Sequence, residues 1–166
     1  MPNKNFDNCV VFMKNFSKHI HYYKSIAAIT LGFMYIVVGI KHFTDPEIFV
    51  AITPPFICFR EAAVYFTGLI EIVGGALLLT SKYRKKGGAL MIILLLLVFP
   101  ANIYLVFSEE AQMVFQGTRT DALIRLPFQI PLIFIAYWHS KEKVSKWVEL
   151  FCTLSFPPTI IYFLTL

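Results

Sequence analysis

The chain has 166 residues, of which 57% are hydrophobic and only 15% charged, and its mean hydropathy is +0.66. That length leaves room for one domain, and that composition excludes an ordinary water-soluble globule. The net charge of +5 does not call for a nucleic-acid partner, because Lys and Arg gathered on one side of a bilayer account for it.

Residues 1–24 read as a cytoplasmic N-terminal segment. Within it, residues 10–24 pattern as an amphipathic helix. Phe12, Met13, Phe16, Ile20 and Tyr23 share one face, and Lys14, Lys18 and His21 share the other. That pattern suits a helix lying in the headgroup plane; the alternative is a plain extension of the first membrane helix into water. The first long apolar run begins near Ser25 without a small-residue cleavage site, so an uncleaved anchor is expected.

Four membrane helices follow over residues 25–140. Helix 1 covers about 25–43, with Gly32, Tyr35, Gly39 and His42 on one stripe, and Thr44-Asp45-Pro46 ends it. The next loop holds Pro54-Pro55 and has room for a short interfacial helix. Helix 2, residues 61–80, is long enough to cross about 30 Å of hydrocarbon and carries Glu71 near its middle. Thr67, Gly68, Gly74 and Gly75 share the face of Glu71, while Phe66, Leu69, Ile70, Val73 and Leu77 lie on the other side or its flanks. An intramembrane acid costs at least about 2.5 kcal/mol and is expected to face protein with a partner. Small neighbours let a second helix approach it. Helix 3 covers 87–107 and helix 4 covers 122–139, joined by a polar loop over 108–121.

The final segment, 141–166, begins as a basic linker. Its apolar part is interrupted by Pro157-Pro158, and a kinked fifth helix, a re-entrant hairpin and an interfacial tail are all compatible with it. The fold class is therefore all-α: a polytopic membrane four-helix bundle with an N-terminal amphipathic helix and room for a fifth membrane segment. Four helices put the N-terminal segment, the turn at 81–86 and the 141–146 linker on one side. All but four of the 15 Lys and Arg residues fall there, which predicts a cytoplasmic N-terminus.

A polar constellation is expected in the outer half of the bilayer. Glu71, Asn102, Arg125 and Gln129 reach similar depths, with Tyr35 and His42 near the rim. An ion pair of Glu71 with Arg125, completed by Asn102 and Gln129, would be self-consistent. Asp121 is a rival partner for Arg125. Pro100, Pro127 and Pro131 free the carbonyls of Leu96, Leu123 and Pro127, as at sites where small molecules bind. The four histidines do not converge, so no metal site is expected. Cys9, Cys58 and Cys152 form no C-x-x-C pair, which argues against a dithiol redox site.

The residues Gly39-Ile-Lys41-His42-Phe43, Gly68-Leu-Ile-Glu71-Ile-Val-Gly74-Gly75, Pro100-Ala-Asn102-Ile-Tyr104 and Arg125-Leu-Pro127-Phe-Gln129 resemble motifs of the DoxX-like family of small four-helix membrane proteins. The resemblance covers residues 25–140. It implies a multi-pass protein of the bacterial inner membrane. Beside it two main roles stay open, with a proton-coupled carrier as a third. The first is a polar outer-half pocket for a quinone or other small lipophilic molecule within a membrane redox system, with any redox cofactor on a partner and none in this chain. The second is a non-catalytic scaffold, assembly factor or chaperone for a membrane or periplasmic protein. For the first role, a cavity bordered by Glu71, Asn102, Arg125 and Gln129 is expected, of about 300 Å³ or more for a drug-sized ligand.

Overall fold

Helix-capping residues and apolar stretches divide the chain into seven helices: α1 (Lys4–Thr44), α2 (Pro46–Ile52), α3 (Arg60–Leu79), α4 (Arg84–Phe107), α5 (Glu109–Phe115), α6 (Arg119–Ser140) and α7 (Lys146–Leu164). The structure is a computed structural model that describes residues 4–165, with side chains from Ile20 onward. Five helices are long and apolar enough to cross a membrane: residues 20–44 of α1, then α3, α4, α6 and α7. The protein is an all-α polytopic membrane protein.

α1 is a single helix of 41 residues, about 60 Å long at 1.5 Å per residue. Residues 10–24 are therefore continuous with helix 1 rather than a separate element. The faces expected before Ile20 lie outside the described side chains. Beyond that point the segment already belongs to the bundle. Tyr23 packs on Trp138 and Phe156, with ring centroids 6.4 and 6.1 Å away.

α3 runs antiparallel against α1 along a seam of paired glycines. A Cβ on Gly75 would sit 2.6 Å from the Gly32 carbonyl oxygen, and a Cβ on Gly39 would sit 2.8 Å from that of Gly68. The two backbones touch at both levels, which only small residues permit. This seam fixes the roll of α3. Gly68, Glu71, Gly74 and Gly75 are buried, while Phe66, Leu69 and Val73 face outward as expected. α4 and α6 meet the same way: a Cβ on Gly88 would come within 2.6 Å of the Ala136 carbonyl oxygen. The main core of Leu31, Leu78, Met91, Leu94, Ile135 and Trp138 fills the space between these pairs.

The segment 108–121 is not simply a polar loop, because it contains α5. Ser108 caps it by accepting from the Ala111 N–H at 3.2 Å, and Glu109 and Glu110 occupy its first turn. Both features favour a helix start. The chain then turns at Gln116, which adopts the left-handed conformation at φ 56°. α6 begins three residues earlier than expected, because Thr118 and Asp121 form a capping box. α2 and α5 pack on each other over a second apolar cluster of Ile52, Leu105, Val106, Ala111 and Ala122.

The final segment is one continuous helix, α7, and not a re-entrant hairpin. It lies antiparallel along α6. Cys152 Sγ contacts the Phe134 carbonyl near one end, and the Tyr162 hydroxyl donates to the Asp121 carbonyl at the other. Pro157 leaves the Thr153 carbonyl without its helical N–H. The Tyr23 hydroxyl of α1 donates to that carbonyl at 3.0 Å, so the helix passes through the proline pair with one of its two lost bonds replaced.

The three basic segments meet at one end of the bundle. Lys24 Nζ donates to the Lys141 carbonyl at 2.9 Å, Arg84 Nη1 donates to Ser25 Oγ at 3.1 Å, and Lys85 pairs with Glu142. The Lys85 ammonium holds the exposed Glu142 carboxyl below the usual carboxylate range. α2, α5 and the start of α6 close the opposite end.

Candidate functional site

Glu71 stands where α3 meets α1, just inside the α2–α5 end, and is 6% exposed. Its nearest ionisable neighbour is His42 of α1, also 6% exposed, whose Nδ1 lies 3.1 Å from Glu71 Oε2. The same Nδ1 lies 3.0 Å from the Val38 carbonyl, one turn back. When Nδ1 carries the hydrogen it donates to that carbonyl, so the approach to Glu71 is an electrostatic contact rather than a hydrogen bond. Phe49 of α2 stacks on the imidazole with ring centroids 3.6 Å apart and covers it. Tyr35 is buried on the same stripe of α1.

The expected Glu71–Arg125 ion pair is not formed. No carboxylate makes a salt bridge with Arg125 among the described residues. Its guanidinium instead lies over two aromatic faces, Phe115 of α5 at 4.9 Å and Phe163 of α7 at 5.7 Å. Such cation–π contacts are favourable where water is scarce. Asp121 is not its ion-pair partner either, since Asp121 Oδ2 accepts from the Thr118 N–H and hydroxyl in the capping box. α5, which the sequence reads as part of a polar loop, and α7, whose form the sequence leaves open, supply the rings that hold Arg125.

Asn102 and Gln129 do meet. Asn102 Nδ2 donates to Gln129 Oε1 at 3.0 Å, and Gln129 Nε2 donates to the Leu95 carbonyl. The carbonyl engaged beside Pro100 is thus that of Leu95, not the expected Leu96. Five of the six predicted residues therefore form separate contacts, His42 with Glu71 between α1 and α3, Asn102 with Gln129 between α4 and α6, and Arg125 against aromatic rings, and the sixth, Tyr35, is buried on α1.

Among the described residues, neither of the two leading cavities is walled by them together. The cavity beside Arg125 measures about 10 Å³ and is walled by residues of α4, α5 and α6, including Gln112, Thr118 and Asp121. A larger concavity of about 410 Å³ is an open apolar groove lined by Pro54, Pro55, Phe56, Pro100, Ile103, Tyr104 and Phe107. Neither is walled by Glu71, Asn102 or Gln129.

A family model described as a domain of unknown function, DUF8561, matches residues 31–140. The chain belongs to the DUF8561 family. No curated protein and no solved structure matches it. The DUF8561 stretch runs from the middle of α1 to the end of α6 and holds all six predicted residues, while α7 with Phe163 lies beyond it.

The DUF8561 stretch also buries a polar layer at its basic end that sequence reasoning missed. Trp138 and His139, near the end of α6, are 0% and 1% exposed. Tyr137 beside Trp138 remains 40% exposed. The signal was Gly88, which brings the start of α4 onto the backbone of Ala136, His139 and Ser140, while Gly87 beside it meets the backbone of α3 at Gly74 and Leu78. The aromatic covers Phe49, Phe115 and Phe163 were missed as well, because each lies on an element whose packing partner is distant in sequence.

Proposed function

We propose that this DUF8561 protein is a non-catalytic membrane scaffold or assembly factor for a partner protein. The observation that carries this reading is that its polar side chains join helices in pairs instead of surrounding a ligand-sized space. Glu71 and His42 tie α3 to α1, Asn102 and Gln129 tie α4 to α6, Tyr23 ties α1 to α7, and Arg84 ties α4 to α1. A polar contact between membrane helices is worth about 0.6–2 kcal/mol, so several together give a bundle of defined shape. The resemblance to the DoxX-like family, some of whose relatives act as chaperones and maturation proteins, supports the same reading. It also supports placement in a bacterial inner membrane with the N-terminus in the cytoplasm, as does the basic end where the three Lys/Arg-rich segments gather.

A second reading is binding of a quinone or another small lipophilic molecule, within a membrane redox system whose cofactors sit on a partner. One observation favours it: Glu71 Oε2 and Arg125 Nη1 are buried and make no hydrogen bond, which is costly for a charged group. A thermal-shift titration of the purified full chain with a short-chain quinone separates the two. The scaffold reading expects no shift. A saturable shift that Glu71→Gln abolishes, in a variant that still folds, would replace it with the ligand reading.

A further inference from the structure

The cavity beside Arg125 has a chemistry that its size makes specific. Arg125 contributes a buried Nη1 with no hydrogen-bond partner. Gln112 contributes a side chain whose Nε2 already donates to the Leu105 and Val106 carbonyls, at 2.9 and 3.1 Å, which leaves its Oε1 as an acceptor. Asp121 contributes a carboxylate of which only Oδ2 is engaged, by Thr118. The volume is about 10 Å³. One water needs roughly 10–15 Å³ and two to four polar partners. The space is too small for an organic ligand. The carboxylate in its wall disfavours an anion, and the guanidinium disfavours a cation.

We propose that this cavity binds one water molecule that bridges Arg125 Nη1 to the acceptor side chains of Gln112 and Asp121. The water accepts from the guanidinium and donates to the two oxygens, so Arg125, Gln112 and Asp121 each gain a bond. Arg125 and Asp121 are then linked after all, through a water and not by an ion pair. The bridge also ties α6 to α5, whose Phe115 ring faces the same guanidinium. Phe115 and Phe163 hold the guanidinium in place on either side.

Two measurements on the full chain in lipid bilayers test this. Proton-detected NMR should show transfer from water to the Arg125 guanidinium protons and none to those of Arg125 in a Gln112→Leu, Asp121→Asn variant. Absence of transfer in the natural chain would overturn the proposal. The second measurement uses Ala122, which also lines the cavity. Ala122→Val fills the space with methyl groups, displaces a bonded water and replaces none of its bonds, so Tm should fall by about 2–4 °C. Ala122→Ser should restore most of that loss. A dry void predicts the reverse, because filling it with methyl groups stabilises; an unchanged or raised Tm for Ala122→Val would therefore overturn the water site. If the valine variant does not fold, the NMR result decides. Anomalous bromide density at this position, in crystals grown with bromide, would reassign the site to an anion.

Discussion

The Nδ1 of His42 lies 3.1 Å from Oε2 of Glu71, and Arg125, the expected partner of that carboxylate, forms no ion pair with it. The glycine seam explains why. Gly39 and Gly68 let α1 and α3 touch one turn from His42, so the imidazole is delivered to Glu71 at closer range than the Arg125 guanidinium. In a double-mutant cycle, His42→Ala and Glu71→Gln should therefore couple by about 0.5–3 kcal/mol. The cycle of Arg125→Gln with Glu71→Gln should give less. Reversible unfolding in mixed micelles measures both, and a larger coupling for the arginine cycle would mean that the helices sit in another register.

Much of the bundle was legible because burial in lipid leaves a coarse, redundant signal. The lengths of α3, α4 and α6 follow from apolar runs, and the roll of α3 follows from small residues sharing the face of Glu71. Partner choice was not legible. His42 at a helix end reads locally as an interfacial residue, and only the pairing of Gly32 with Gly75 and Gly39 with Gly68 brings it inward. α5 was hidden in a polar stretch, although its Ser108 cap and the acids after it are ordinary helix-start chemistry. α7 stayed ambiguous because Pro157-Pro158 looks like a break. The group that mends it, Tyr23, lies 130 residues away.

The topology can be read directly. Five spans place the α5 region and the C-terminus on one side, and the 81–83 turn and 141–145 link on the other. In a background free of native cysteines, Met113→Cys and a C-terminal tag should be reached by impermeant reagents from the same face, and Glu142→Cys only from the opposite one. Met113 is 73% exposed, so a failure to label would not reflect burial. Labelling of Met113→Cys and Glu142→Cys from one side would exclude α6 as a span.

The α1–α3 seam should tolerate no added methyl. A Cβ at position 75 would meet the Gly32 carbonyl oxygen at 2.6 Å and an Ile36 side-chain carbon at 2.8 Å. Backbone cannot yield as a flexible side chain can, so Gly75→Ala should destabilise by about 1–3 kcal/mol. Gly117 is the control: a Cβ there meets nothing nearer than a Phe115 ring carbon at 3.3 Å, and its φ is not positive. Gly117→Ala should change stability little. Equal effects at both positions, measured by unfolding in micelles, would argue against backbone contact in the seam.

The Asn102–Gln129 pair gives the sharpest test of whether the polar interior is structural. Gln129 is 2% exposed and joins α6 to α4 twice, through Asn102 Nδ2 and through the Leu95 carbonyl. Gln129→Leu strands the Asn102 amide, and an unsatisfied buried donor costs about 1–3 kcal/mol. Adding Asn102→Leu removes the stranded group, and apolar replacement of both partners is close to neutral. The double variant should therefore be more stable than Gln129→Leu alone, and should approach the natural protein. Additive losses would show that the two amides do not bond. The same double variant bears on function. A scaffold keeps its outer faces when an interior amide pair becomes leucine, so photo-crosslinks formed from the exposed Phe59 or Trp147 positions in cells should be unchanged. Loss of those crosslinks from a variant that still folds would show that the amides act on something other than helix packing.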